Sequence, residues 1–157
     1  MATSKSKHPS APSVDLTKRP PRSPRVRLGG FVILPRILDK GRATLVRKNG
    51  EYNYNCPLDR HFFKYVGVDA DALKKQLELG KGDGEILQWI HQNAQNKVMP
   101  WQISAWSDYH EHRVPTDVET RDFFNNYQKK VGKHREDVAN WFDVLDLDDF
   151  VSFGGKA

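Results

Sequence analysis

The chain has 157 residues, 38% of them apolar, and a single cysteine, Cys56. That length suits one domain with its own core, four Trp and eight Phe supply large anchors for it, and a lone cysteine excludes an internal disulfide and fits a reducing compartment. The net charge of +5 is unevenly placed: residues 1–30 carry seven basic side chains against Asp15 alone, whereas the rest carries 18 basic and 19 acidic ones, so the basicity belongs to an N-terminal arm and makes no whole-protein case for nucleic acid.

Residues 1–13 are rich in Ser, Pro and Lys with almost nothing to bury, and read as a disordered tail. Pro20, Pro21 and Pro24 exclude a helix interior over 14–28 and favour an extended, partly polyproline II course. Gly29-Gly30 permits a sharp turn. Helical signals then dominate. A helix is expected over about 34–47, with Pro35 at a first helical position and Leu34, Leu38, Gly41 and Leu45 at helical spacing. Asn49-Gly50 is a turn, Tyr52 and Tyr54 give at most a short extended piece, and Pro57 to Tyr65 is a short helix stopped by Gly67.

Asp69 caps a helix that buries Ala70, Leu73 and Leu77 and ends at Gly80. Asp83 caps the next, with Ile86, Leu87, Ile90 and Ala94 inward. Pro100 opens another, with Ile103, Trp106 and Tyr109 on one stripe. Thr116 and Glu119 have capping-box spacing before a helix that runs to about Val131 and turns Phe124, Tyr127 and Val131 to one side. A last helix over about 135–145 carries Val138, Phe142 and Leu145, followed by the acidic run Asp143 to Asp149. The fold class expected is mainly α: an irregular bundle of six to seven short helices with an extended Pro/Arg-rich arm packed on it. Residues 14–153 form a single globular domain that includes the arm. No stretch approaches the roughly 20 apolar residues of a membrane helix, and no apolar secretory segment opens the chain. A soluble cytoplasmic protein without a membrane partner is the expectation.

Several short blocks carry a resemblance: Asp15 to Pro24, Leu28-Gly29-Gly30, Leu34-Pro35-Arg36 with Asp39-Lys40, Tyr54 to Asp59, Pro100-Trp101 with Ala105-Trp106-Ser107, and Trp141-Phe142-Asp143 with Leu145 to Asp149. Together, over about residues 14–150, the chain resembles a family of small bacterial domains of unknown function. The resemblance implies a stand-alone domain in which the arm from Asp15 belongs to the folded unit. It implies no reaction and brings no catalytic residue with it.

Arg19, Arg22, Arg25 and Arg27 lie within nine residues of a stiff segment, and guanidinium groups pair with carboxylate or phosphate through two hydrogen bonds. With the backbone N–H groups of Gly29 and Gly30 and the basic Arg36 and Lys40, Arg22, Arg25 and Arg27 form a candidate ligand-binding set for an anionic small molecule. The plainer reading is a strap, with the arginines holding the arm on Asp143, Asp146, Asp148 and Asp149. Few aromatics interleave with these charges and no nucleic-acid motif is present, which argues against nucleic acid as a partner.

Cys56 stands at the expected N-cap before Pro57, where a helix terminus favours thiolate. Arg60 and His61 follow about one turn on, so Cys56 and His61 are the candidate catalytic pair, against the plainer reading of a small buried apolar residue. His110 and His112 are the candidate metal ligands. On a helix, positions two apart point to nearly opposite sides, so the expectation is no metal, and no cofactor motif is present either. The aromatics Trp89, Trp101, Trp106, Phe123, Phe124, Tyr127, Trp141 and Phe142 recur at helical spacing and read mostly as core rather than as a ligand pocket. Gly80 to Gly84 reads as a linker. The favoured function is a non-enzymatic binding module for an anionic small molecule or a protein partner. The alternatives are a small enzyme with an inter-helix pocket that uses Cys56 and His61 with an arginine anion clamp, and nucleic-acid binding through the basic arm.

Overall fold

A computed structural model describes residues 14–157, and the tail expected over residues 1–13 lies outside them. Among the described residues the chain is mainly α, as the sequence predicts. The helices are α1 (Leu34–Leu45), α2 (Pro57–Val66), α3 (Ala70–Glu78), α4 (Asp83–Asn93), α5 (Pro100–His112), α6 (Val118–Gly132) and α7 (Trp141–Ser152). They fall into two compact units. One comprises Ile37–Lys97 with the segment ending at Thr17, and the other comprises Lys18–Arg36 with Val98–Ala157. The boundary falls inside α1, after Arg36.

The first unit is built from α1 to α4. Pro57, with its φ preset and no N–H to satisfy, opens α2 behind the N-cap residue Cys56. Gly67 closes it in the left-handed region at φ 68°, donating its N–H to Phe63 O. Gln95 N–H then donates to Gly67 O, and Asn96 N–H to Val66 O, which fixes the segment after α4 against the end of α2. Asp69 caps α3 as expected, its carboxylate accepting from Ala72 N–H at 2.8 Å. Phe62, Phe63, Leu73, Leu77, Ile86 and Ile90 are buried, and Leu87 is half-buried. Gly41 on α1 makes room for α3: a Cβ there would lie 2.5 Å from Leu77 Cδ1 and 3.2 Å from the Tyr54 ring. The cap of α4 is Gly82 rather than Asp83. The Glu85 carboxylate reaches back to the Gly82 N–H at 2.9 Å, the reciprocal half of a capping box, while Gly82 itself has no side chain to cap with.

In the second unit the chain reaches α1 through a two-residue hairpin. Leu28 and Phe31 exchange both backbone hydrogen bonds around Gly29 and Gly30. Both glycines have positive φ, 58° and 83°, as the primed hairpin turns require. The Ser107 hydroxyl on α5 donates to Gly30 O at 2.7 Å and accepts from Val32 N–H at 3.2 Å, so one buried side chain satisfies two backbone groups of the hairpin. The inward stripe of α5 is therefore Ile103, Ser107 and His110. It is not the Ile103, Trp106 and Tyr109 stripe that the periodicity suggests: Trp106 is half-buried and Tyr109 is exposed.

Asp117 caps α6 in place of Thr116, its carboxylate accepting from Thr120 N–H at 2.8 Å. The last helix begins at Trp141, behind an Asn140 cap that accepts from Asp143 N–H, six residues later than the expected start at 135. Turns fill the gap, held by the Gln128 amide donating to Gly132 O and Arg135 O. The acidic run expected beyond the helix lies inside α7. Both α5 and α6 pack on α7. Phe124, Val131, Val138, Val144 and Leu147 form a buried cluster with Tyr127, Trp141 and Val151 at its edge.

Candidate functional site

The arm arginines meet carboxylates. Arg25, about a third exposed, bridges Asp146 Oδ2 at 2.8 Å and Asp143 Oδ1, also donates to Asn140 Oδ1, and lies over the Phe142 ring. Arg27 bridges Asp108 at 2.7 Å and Glu111 at 3.2 Å. The hydrogen bond to Asp108, ahead of that to Glu111, raises its pKa above the ordinary arginine value, against a smaller opposing effect of burial. Arg36 is buried and makes a two-pronged pair with Asp149, at 2.7 and 3.1 Å, while a third bond goes to Arg22 O. Arg22 in turn donates to Pro35 O at 3.3 Å. Gly29 and Gly30 are exposed. Of the acids expected to receive the arm, Asp143 and Asp146 take Arg25, whereas Asp149 takes Arg36 of α1 and Arg27 turns instead to Asp108 and Glu111 of α5. Asp148 instead accepts a hydrogen bond from the Tyr127 hydroxyl. Burial first, and that bond second, push the Tyr127 phenol above its ordinary value of 10.0.

Lys40 lies beyond the boundary in α1, in the other unit. Its Nζ is buried and donates to Asp59 Oδ1 at 2.7 Å and to Cys56 Sγ at 3.3 Å. Asp59 is fully buried, and its other oxygen, Oδ2, has no hydrogen-bond partner. Cys56 occupies the N-cap position expected of it, but its side chain makes no capping bond. The residue is half-buried and the cation beside its sulfur is Lys40. His61 sits five residues on in α2, half-buried. Asp59 was not singled out by motif. The available signal was its i, i+3 spacing from Cys56, which puts the two on one side of the first turn of α2. Nearby, the Tyr54 hydroxyl donates to Ala70 O at 2.7 Å, and burial, reinforced by the charge of Asp59, pushes its phenol well above 10.0. Arg42, also buried, pairs with Asp83 at 2.7 Å and donates to Lys81 O, tying the glycine-rich linker to α1.

A family model described as "Domain of unknown function (DUF5069)" matches residues 18–151. The chain belongs to this family. No curated protein matches it. The DUF5069 match takes in the arm from Lys18 and all seven helices up to Val151, so both the arginine contacts and the Lys40–Cys56–Asp59 cluster lie within it.

The remaining candidates in this DUF5069 chain are separated. On α5, His110 is buried with its ring 4.3 Å from that of Trp106, while His112 is exposed, with Nδ1 on Asp108 O at 2.8 Å. The two rings do not converge on one point. Of the aromatic set, Phe124 and Phe142 are buried, and Trp89, Trp106, Tyr127 and Trp141 are half-buried. Trp101 and Phe123 face solvent, with 69% and 63% of their surface exposed. No helix among the described residues is long and apolar enough to cross a membrane.

Proposed function

We propose that this DUF5069 chain is a non-enzymatic module that binds a protein partner, with the outward face of α5 as the docking surface. The observation that carries this reading is the second stripe of that helix. Trp101, Ala105 and Tyr109, at i, i+4 and i+8, are all exposed, opposite the buried Ile103, Ser107 and His110. Met99 is exposed immediately ahead of the helix. Trp and Tyr are the side chains that most often anchor protein interfaces. The arm argues for a protein rather than a small anion, because Arg25, Arg27 and Arg36 each already hold a carboxylate. An incoming anion would have to displace that partner.

The test is site-specific photo-crosslinking. A photoreactive residue at position 101 is expected to give a discrete adduct in cell lysate, lost on Tyr109→Ala. A probe at the exposed Asp122 on α6 is expected to give none. Equal labelling at the two positions would overturn the reading. A thermal shift with an anionic metabolite, abolished by Arg25→Ala, would put the small-anion reading in its place.

A further inference from the structure

We propose that Lys40, Cys56 and Asp59 form an oxidation-dependent modification site, at which a hydroperoxide converts Cys56 and Lys40 into a reversible sulfur–nitrogen cross-link between α2 and α1. This is independent of the protein-binding reading.

Three observations converge on it. Lys40 Nζ is 3.3 Å from Cys56 Sγ, a contact between two nucleophilic atoms that condense once one of them is oxidised. The same Nζ is 2.7 Å from Asp59 Oδ1, so a proton acceptor for the lysine is already in place. Asp59 Oδ2 is buried without a partner. A buried carboxylate left half-satisfied costs stability and leaves an acceptor oxygen beside the Lys40–Cys56 contact. Access is unequal in the right sense. Cys56 as a residue is half-buried and so partly open to a small peroxide, while Lys40 is 3% exposed and shielded from competing reagents.

The chemistry closes in two steps. The thiolate is the form that attacks peroxide. The sulfur takes the distal oxygen, the O–O bond breaks, and the leaving alkoxide is protonated to the alcohol. Sulfur is oxidised by two electrons to the sulfenic acid and the peroxide is reduced. Asp59 then takes a proton from the Lys40 ammonium. The freed amine attacks the sulfenic sulfur, an S–N bond forms, and the hydroxyl leaves as water. The net change is one thiol, one amine and one hydroperoxide giving one sulfenamide, one alcohol and one water. The chain holds no second cysteine, so no internal thiol competes to resolve the sulfenic acid. Lys40 is the nucleophile already in contact.

The experiment treats the full chain with one equivalent of hydrogen peroxide and reads intact mass and peptide map. The expected product has lost two hydrogen atoms, joins the peptides containing Lys40 and Cys56, and returns to the starting mass with dithiothreitol. In 8 M urea the cross-link is not expected, because the 3.3 Å contact belongs to the fold. Lys40→Arg keeps the positive charge but is expected to stop at a sulfenic acid that dimedone traps. Cys56→Ser is expected to be inert. Gain of two or three oxygens at Cys56 with Lys40 unmodified, a disulfide between two copies of the chain, or no reaction at Cys56 would each overturn the proposal. The overturning outcomes are all read on the unaltered chain, so none of them depends on a variant folding.

Discussion

Removing either partner of the buried Lys40–Asp59 pair should destabilise the protein far more than removing both. The Nζ–Oδ1 distance is 2.7 Å, with Lys40 3% exposed and Asp59 fully buried. At an effective dielectric constant near 20, two unit charges at that separation attract by about 6 kcal/mol. The desolvation of each ion costs several kcal/mol, so the pair as a whole stands near break-even. Lys40→Met deletes the attraction and leaves both oxygens of Asp59 buried and unpartnered, an expected loss of about 3–5 kcal/mol. Asp59→Leu strands the ammonium at similar cost. The double variant, with two apolar side chains of comparable volume, should lie within about 2 kcal/mol of the starting protein. A double-mutant cycle by urea unfolding, followed by far-UV circular dichroism, should therefore return a coupling energy of about 4 kcal/mol or more. The reasoning is falsified if each single change costs under about 1 kcal/mol, or if the double change equals their sum. That outcome would mean water reaches the pair and screens it like the exposed Arg135–Asp137 contact.

Further expectations follow from other contacts. Arg25→Ala, at a pair about a third exposed on each side, should cost no more than about 1 kcal/mol, and less in high salt, where Arg36→Leu should cost about 3–5 kcal/mol at its buried pair whatever the salt; paired thermal melts at two ionic strengths measure both. Gly67→Ala must take a left-handed φ of 68° with its Cβ 2.9 Å from Gln95 Cβ, and should lower the unfolding free energy read from urea curves by more than the roughly 1 kcal/mol of conformational strain alone. Tyr54 and Tyr127 keep their protons in the fold above the pH at which the unfolded chain loses them, near 10.0. The unfolded state then binds fewer protons, so stability present below pH 10 is lost as the pH rises beyond it. Tyr127→Phe should flatten that alkaline decline, as seen in unfolding curves from pH 9 to 11.

The helices from α1 to α6 were legible because their signals are local. Pro57, Gly67 and Asp69 act within one turn of where they stand. The caps at α4 and α6 were misplaced by one residue because two polar or small candidates adjoin, and the choice rests on which backbone N–H the side chain reaches. Helix α7 was misplaced for a different reason. Asp143, Asp146, Asp148 and Asp149 look like a solvated tail until Arg25, Arg36 and Tyr127 are set beside them, and two of these come from more than a hundred residues away. The α5 faces were exchanged for the same reason: Ser107 is inward because the Gly29–Gly30 hairpin needs its hydroxyl. Among the site residues, Cys56 at its N-cap and the pairing of the arm with the acidic run were readable from charge and spacing. The Lys40–Asp59 pair was not, because sequence gives no sign that α1 and α2 place those two side chains together.

The acids of α7 make it a helix that carries its own opposition. Asp143, Asp146 and Asp149 recur every three residues, a spacing at which like charges repel along a helix. The arm and the first turn of α1 behave as a built-in counterion, bringing Arg25 and Arg36 to that row. Cut out as a peptide at neutral pH, α7 should be largely coil, and it should gain helix in acid as its carboxylates are neutralised. In the whole chain its order is conditional: the C-terminal helix waits on the N-terminal arm, and a protease nick between the two would be felt first at the far end of the sequence.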